Sequence, residues 1–543
     1  MEILLNLSLK TWGYIIFLLL MMSALVLATL KIKPRMLWAS LYMIMSLMLF
    51  LKFKTIFLDK ILFFIIIPSI VLGVIGFLIT LKPKIDTLWD AKIETTEGVQ
   101  ILKNVRRGVL IFGAAGSGKT ESPVYTLLKH FGQQNYTGVL YDYKDGELSE
   151  IAKPLFKDRL KPISLHRPSQ GYRINPIAPK YISDEKDINE VVAVLLDNLA
   201  PNVKHGDFFN ECASGLLTGL ILKFHFDHPE FCTLPHVIAF ILAVDFSEKT
   251  TSENQSDNTH ASFAKLKAFL LSNQRASIQA SAFIMGLDSE KLTASVLSTL
   301  ANLLRKIAFP EAFWVLSGNE IDLDVNNPQT NSVITVINEP KSDAFLTPVL
   351  ATVIHTITKQ MMVRDRLPSF VLLDEAPTIK LRNMAKIPAT MRSFGVATVY
   401  CAQDLVQGVV QYGEDGFKEI TANLSTQFFG KANDPKTAKF YEGYFDYKKE
   451  QTKSISKSGA GGSIFDSTKS TTYGEREITQ TRAIEFLKLK VGQFAFSSDG
   501  KTQIIKFKRQ NIARKTLIGQ KQEKEIYQEN YTKIINDVKN ILK

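Results

Sequence analysis

Apolar residues crowd the first 82 positions of the chain and then give way to short hydrophobic runs separated by polar turns. Tyr14 to Leu30 is uncharged and apolar behind Trp12, and Ile61 to Leu81 is a second such run, 21 residues long and including Pro68. Each is long enough for a bilayer core, which takes about 20 apolar residues. Met36 to Leu51, uncharged over 16 residues, is either a short span or a segment lying in the interface. A span is the favoured reading, making residues 1–84 a three-helix membrane anchor. Lys31, Lys33 and Arg35 and the exit Lys82 and Lys84 then face the cytoplasm with the amino terminus outside, although Lys52, Lys54 and Lys60 load the opposite loop as well. A cleaved signal peptide would account for residues 1–30 alone and leave the later runs unexplained.

Beyond the anchor the pattern is that of an α/β protein. Val109–Phe112, Val139–Tyr141, Val333–Ile337, Phe370–Leu373 and Val396–Ala402 read as strands, the continuously apolar ones as buried parallel strands. Between them, Ile188, Val191, Val192, Leu195, Leu196 and Leu199 form a helical face opened by an Asp187/Glu190 capping pair, and 208–226, 234–244, 263–271 and 292–307 continue in helical period. The expected organisation is an α/β domain in two parts, 85–185 and 309–510, interrupted by an all-α domain at 186–308 and followed by a helical tail at 511–543. Ser247 to His260 reads as an exposed loop. Lys453 to Tyr473, rich in Ser, Gly, Thr and Lys, reads as a mobile one. Phe494–Ser497 and Gln503–Phe507 form a hairpin through Asp499-Gly500. In the tail, Tyr527, Tyr531, Ile534, Val538 and Ile541 share one helical face, which packs on its own domain or on a partner.

Charge changes this picture little: 65 basic residues against 53 acidic ones give net +12, favouring phosphate backbones or anionic lipid without choosing between them. Cys212, Cys232 and Cys401 are too dispersed for a disulfide framework or a zinc site, and His225, His228 and His236 read as helix-end and surface residues.

Chemistry enters at Gly113, Ala114, Ala115, Gly116, Ser117, Gly118, Lys119 and Thr120, which fit GxxxxGK[ST] between a strand and a helix, with Glu121 completing the nucleotide cradle. Such a loop turns backbone N–H groups toward the phosphates; Lys119 faces the β and γ phosphates and the Thr120 hydroxyl ligates Mg²⁺. The 370–373 strand ends in Asp374-Glu375, giving an acid that holds Mg²⁺ through water and a general base for the lytic water. Gln403, after the 396–402 strand, is placed to contact the γ-phosphate or that water, with a strand-end hydrogen bond as the plain alternative. Arg392 is either an arginine finger for a neighbouring subunit or a structural salt-bridge residue. Asp142, at the end of its own strand, faces the same edge. The absence of NKxD or TKxD argues against a GTPase, and Leu316-Ser317-Gly318-Asn319-Glu320 reads as a turn.

Several of these stretches, taken in order, resemble the TraG/TraD-type coupling proteins of conjugative type IV secretion, in the branch found with mobilizable elements. They are GAAGSGKT at 113–120, DYKDGEL at 142–148, LLDEAPT at 372–378, ATMRSFGVATVYCAQDLVQ at 389–407, TLPHVI at 233–238 and FFGKAND at 428–434. In the second, Tyr143 and Asp145 depart from the family's usual Pro and Gly, while Lys144, Gly146 and Glu147 are kept. The resemblance, covering about 95–510, implies a RecA-like P-loop NTPase domain with an inserted all-α domain, ATP and Mg²⁺ as ligands, and a homo-hexameric ring. It further implies residence in the bacterial inner membrane with the ATPase domain in the cytoplasm, and delivery of single-stranded DNA with its relaxase to type IV secretion channel components. Lys380, Arg382, Lys386 and Arg392 would line a DNA channel or simply form a solvated loop. A receptor for secreted effector proteins and a DNA-partitioning translocase are the competing readings, the latter weakened by a tail too short for a winged-helix reader.

Overall fold

The computed structural model describes residues 86–201, 208–249, 264–286, 290–445, 447–459, 467–479, 481–517, 519 and 524–543. The expected membrane spans therefore lie outside the described residues, among which no helix is long and apolar enough to cross a membrane.

The described residues contain thirteen strands: β1 (Ala91–Thr95), β2 (Gly98–Leu102), β3 (Val109–Phe112), β4 (Thr137–Asp142), β5 (Leu160–Ser164), β6 (Val333–Ile337), β7 (Ser369–Leu373), β8 (Val396–Ala402), β9 (Thr426–Phe429), β10 (Tyr447–Gly459), β11 (Ser467–Thr479), β12 (Gln493–Ser498) and β13 (Lys501–Lys506). Nine form one sheet in the order β13-β12-β9-β3-β8-β7-β4-β6-β5. From β9 to β5 every pairing is parallel, and the β12–β13 hairpin adds an antiparallel margin. Its turn is Asp499-Gly500, both at positive φ (51° and 71°), the two-residue geometry that matches strand twist.

Period-2 alternation splits the strand residues between two cores. Leu110, Phe112, Val139, Tyr141, Val371 and Leu373 face one side. Val109, Ile111, Leu140, Phe370 and Leu372 face the other, with α1 (Tyr125–Gln133) and α2 (Glu147–Phe156) packed over them. The first core runs without interruption into the helices between β5 and β6: α3 (Glu185–Leu199), α4 (Phe208–Asp227), α5 (Leu234–Lys249), α6 (Glu290–Arg305) and α7 (Pro310–Leu316). Residues 87–543 consequently fold as one compact unit. The α3 cap differs from the expected pair. Asp184 accepts from the Lys186 and Asp187 N–H groups, Asp187 answers by accepting from Ser183 N–H, and Glu190 instead meets Lys359 on α8 (Asp343–Gln360) at 2.6 Å. The polar stretch expected from Ser247 begins later, since α5 continues to Lys249; residues 250–263 lie outside the described ones.

Where the segment expected to be a mobile loop falls on described residues, it is instead part of a long antiparallel ribbon, β10 paired with β11 from Tyr447↔Thr479 to Gly459↔Ser467; residues 460–466 lie outside the described ones. The tail helix α9 (Lys524–Ile541) packs on its own chain. Tyr531 lies 4.9 Å from the Phe313 ring and Tyr527 5.9 Å from Trp314, and Ile534 and Val538 are buried.

Each margin of the nine-stranded sheet takes a backbone contact from a neighbouring segment. Beside β5, Tyr172 N–H donates to Pro162 O, and at β13 the Thr96 N–H donates to Lys506 O while Thr95 bridges Phe507.

Candidate nucleotide site

Parallel strands aim their carboxyl ends at one edge, and there the chemistry collects. β3 leads into the glycine loop, where Gly116 (φ 76°) and Gly118 (φ 89°) take conformations open to glycine. A Cβ on Gly113 would stand 2.5 Å from Ser117 Oγ, so a larger residue at the start of the curl would crowd that hydroxyl. Thr120–Val124 forms one wide turn before α1, closed by Val124 N–H donating to Lys119 O. Ser117 Oγ is buried without a hydrogen-bond partner inside this cradle. The Lys119 ammonium, also buried, donates to Gly113 O at 2.5 Å. The cradle thus offers a desolvated cation and an unmet hydroxyl at the curl of the loop, a fit for a phosphate chain.

Two strands away, β7 delivers Asp374 and Glu375. Glu375 sits at φ 48°, ψ 50°, an unusual conformation for a side-chain-bearing residue, and Thr378 holds it by donating its hydroxyl to Glu375 O at 2.7 Å. Thr378 Oγ1 lies 3.1 Å from the Tyr141 hydroxyl, which accepts from Asn338 Nδ2 at 2.9 Å, so β4 and β6 both brace the turn. The Glu375 carboxylate is ringed by Lys119 Nζ (3.7 Å), Lys144 Nζ (3.6 Å) and Gln403 Nε2 (3.2 Å). Gln403 arrives from β8, the strand between β3 and β7, which is why an amide there reaches the acid. Lys144 also approaches Asp374 at 4.0 Å. Burial raises the Asp374 carboxyl to about 7, with Lys144 pulling the other way and Glu375 and Asp142 adding to the rise.

Asp142 faces the same edge but serves the fold: fully buried, it accepts from Ser149 N–H and Oγ–H, both 2.7 Å, and from Lys144 N–H. Burial pushes its carboxyl upward. The departures in DYKDGEL are accommodated locally. Asp145 takes φ 53°, adjacent to Gly146 at 95°, and its carboxylate is held by His166 Nε2 at 2.7 Å and by Arg167. The Tyr143 hydroxyl donates to Asp343. Lys144 is the site residue to which sequence reasoning gave no role; its signal was its retention within the family stretch.

Arg392 is not brought to this edge. It lies exposed at the start of β8, and among the described residues it makes no ion pair. Arg382 and Lys386 are exposed, whereas the Lys380 backbone is fastened to α3 through both ends of the Asn198 amide. The Leu316–Glu320 turn is pinned by Glu320 N–H donating to Arg173 O and by its carboxylate accepting from Arg173 N–H. His228 stacks on Phe269, and His236 shares a 2.7 Å hydrogen bond with Thr233 and approaches Asp537 of α9.

Among solved structures, the chain is similar to the bacterial conjugative coupling protein TrwBΔN70 in its unbound monoclinic form, at 13% identity and TM-score 0.59, covering 79% of this chain and 91% of that one. TrwB in complex with the non-hydrolysable ATP analogue ADPNP matches at 13% identity and TM-score 0.57, covering 77% and 89%. TrwB in complex with ADP and Mg²⁺ matches at 14% and 0.55, covering 76% and 88%. At these identities the likeness establishes a shared α/β fold with a mostly parallel mixed sheet. No curated protein matches the chain. A family model described as type IV secretory system conjugative DNA transfer matches residues 74–486, well over half of the chain, and the protein belongs to that family of coupling proteins.

Proposed function

We propose that the chain is a membrane-anchored ATPase that drives single-stranded DNA, with its bound relaxase, into a type IV secretion channel from the cytoplasmic face of the bacterial inner membrane. The observation that carries the reading is the convergence of Lys119, Asp374, Glu375 and Gln403 at one sheet edge within a conjugative DNA-transfer family member. The RecA-like core at 85–185 and 309–510, the all-α insertion at 186–308, the 511–543 tail and a hexameric ring are parts of the same reading. The solved TrwB complexes with ADP and Mg²⁺ and with an ATP analogue support ATP and Mg²⁺ as ligands here.

Residues 113–121 would cradle the nucleotide, with Thr120 and, through water, Asp374 holding Mg²⁺. Bound MgATP supplies the phosphoanhydride to be cleaved. Glu375 takes a proton from the attacking water, Gln403 fixes that water and the carboxylate together, and Lys119 offsets charge on the phosphates. With nothing bound, Lys119 and Lys144 both face Glu375, which keeps two buried charges matched. The full-length protein bearing Lys119→Ala is expected to lose nucleotide binding, whereas Glu375→Gln retains binding and stops turnover. Parental hydrolysis by Glu375→Gln would rule out the assigned base. Stimulation by single-stranded DNA that fades with added salt is expected of a DNA pump, and its absence would favour the effector-receptor reading.

A further inference from the structure

The segment after the β12–β13 hairpin has no part in the chemistry above, yet its course is closely set. β12 starts at the phosphate-loop edge, where Gly492 N–H donates to Ser117 O, and β13 returns the chain to that edge, where Phe507 N–H donates to Gly492 O. From there Lys508 N–H donates to Glu94 O. Gln510 fastens to α1 through both ends of its amide, to Thr126 Oγ1 and Lys129 Nζ at 3.3 Å each. Further on, Arg514 meets Glu147 at 3.4 Å and Lys515 N–H donates to Glu150 O. A strap from 508 to 517 thus crosses from the hairpin over α1 to α2.

Under the strap is an open cavity of about 450 Å³ lined by Glu121, Arg509, Gln510, Asn511, Ile512 and Arg514. Its volume suits a small organic ligand. One wall is Ile512, half-buried against the core of the sheet's α1–α2 face. The side chains of Arg509, Asn511 and Glu121 make no hydrogen bond or ion pair among the described residues. An apolar wall, a planar cation, an amide and a carboxylate are the complement of a flat heteroaromatic ring bearing donors and acceptors.

The polarity of the phosphate loop shows what the ring is attached to. A phosphate loop cradles the α and β phosphates with its backbone and meets the γ end with its lysine. Here the γ end faces β8 and β7, which carry Gln403, Asp374 and Glu375; the nucleoside end must leave β3 on the other flank. That flank is β9, β12 and β13, from which the strap emerges, and Glu121 follows Thr120 directly.

We propose that the strap cavity is the purine-base subsite, with Ile512 and the Arg509 guanidinium against the ring faces and Asn511 and Glu121 at its polar edge. The proposal rests on the nucleotide reading of the phosphate loop. Base recognition here is made by a segment far from the loop in sequence, already held on α1 by Gln510.

The test compares a ligand with a base and one without. Equilibrium binding of ATP and of inorganic tripolyphosphate, both with Mg²⁺, is measured on the full chain in detergent for the parent, Arg509→Ala, Ile512→Ser and Lys119→Ala. The two strap variants are expected to weaken ATP about tenfold, the scale of one lost base stack, and to leave tripolyphosphate unchanged. Lys119→Ala is expected to weaken both ligands; if it weakens neither, the phosphate-loop reading itself fails. Equal loss of ATP and tripolyphosphate in the strap variants, or no loss of either, overturns the base subsite. Loss of single-stranded DNA affinity with ATP unchanged also overturns it and makes the strap a backbone-binding surface.

Discussion

The two edges of the nine-stranded sheet differ in kind. At the carboxyl edge, β3, β7 and β8 and the turn after β4 bring Lys119, Lys144 and Gln403 within 4 Å of Glu375, with Lys144 also 4.0 Å from Asp374; Lys119, Asp374 and Glu375 are buried. At the amino edge stands Arg392, exposed, with the whole of β8 between it and that cluster. Seven extended residues span roughly 20 Å. One chain therefore gathers its glycine loop, acid pair and Gln403 at one edge and leaves its own Arg392 at the other.

The sharpest way to break this contrast is to remove Arg392. Acting across a ring interface, Arg392→Ala should lower turnover by about 10³-fold with nucleotide affinity nearly unchanged. Mixing it with Lys119→Ala subunits, which keep the arginine, should restore activity above either variant alone. Mixed assemblies shown to form but lacking recovery would return Arg392 to the role of a surface residue.

At the carboxyl edge, Lys144→Ala should cost about tenfold in turnover, since Glu375 loses one of the two cations that orient it. Steady-state rates equal to the parent would remove Lys144 from the site. A smaller effect concerns stability. Burial lifts the Asp374 carboxyl from 3.8 to about 7, so the folded, nucleotide-free protein holds a proton that the unfolded chain releases. The associated stability is fully present below pH 3.8 and is lost as pH rises through about 7. Denaturation of the parent and of Asp374→Asn should converge or cross as pH rises over that window; parallel pH profiles would contradict the buried assignment. Smallest of all, Asp145→Gly should shift stability by less than about 1 kcal/mol, because relief of the positive φ offsets loss of the partly exposed His166 and Arg167 contacts.

Strands buried on both faces were legible because their composition has one physical meaning: Val109–Phe112, Val333–Ile337 and Val396–Ala402 appear with the expected limits. So did the Asp499-Gly500 hairpin, whose turn chemistry is local. The β10–β11 ribbon was not, since a stretch rich in Ser, Thr, Gly and Lys shows no apolar period and its strands are defined by their pairing with each other. β5 was passed over for a similar reason: it is short, and Lys161 and Pro162 break its apolar run. In the site, the loop and acid pair announce themselves by spacing, whereas the bracing of Glu375 by Tyr141, Asn338 and Thr378 depends on which strands become neighbours.

The contacts at the two margins of the large sheet bear on what could add to it. β5 carries a proline, which has no N–H to offer, and the Pro162 carbonyl is taken by Tyr172; the end of β13 is taken by Thr95 and Thr96. A further strand laid along either side would have to displace those contacts, and at β5 it would still meet one position with nothing to donate. The sheet is therefore poorly suited to growing outward strand by strand, the route by which exposed edges turn into aggregates.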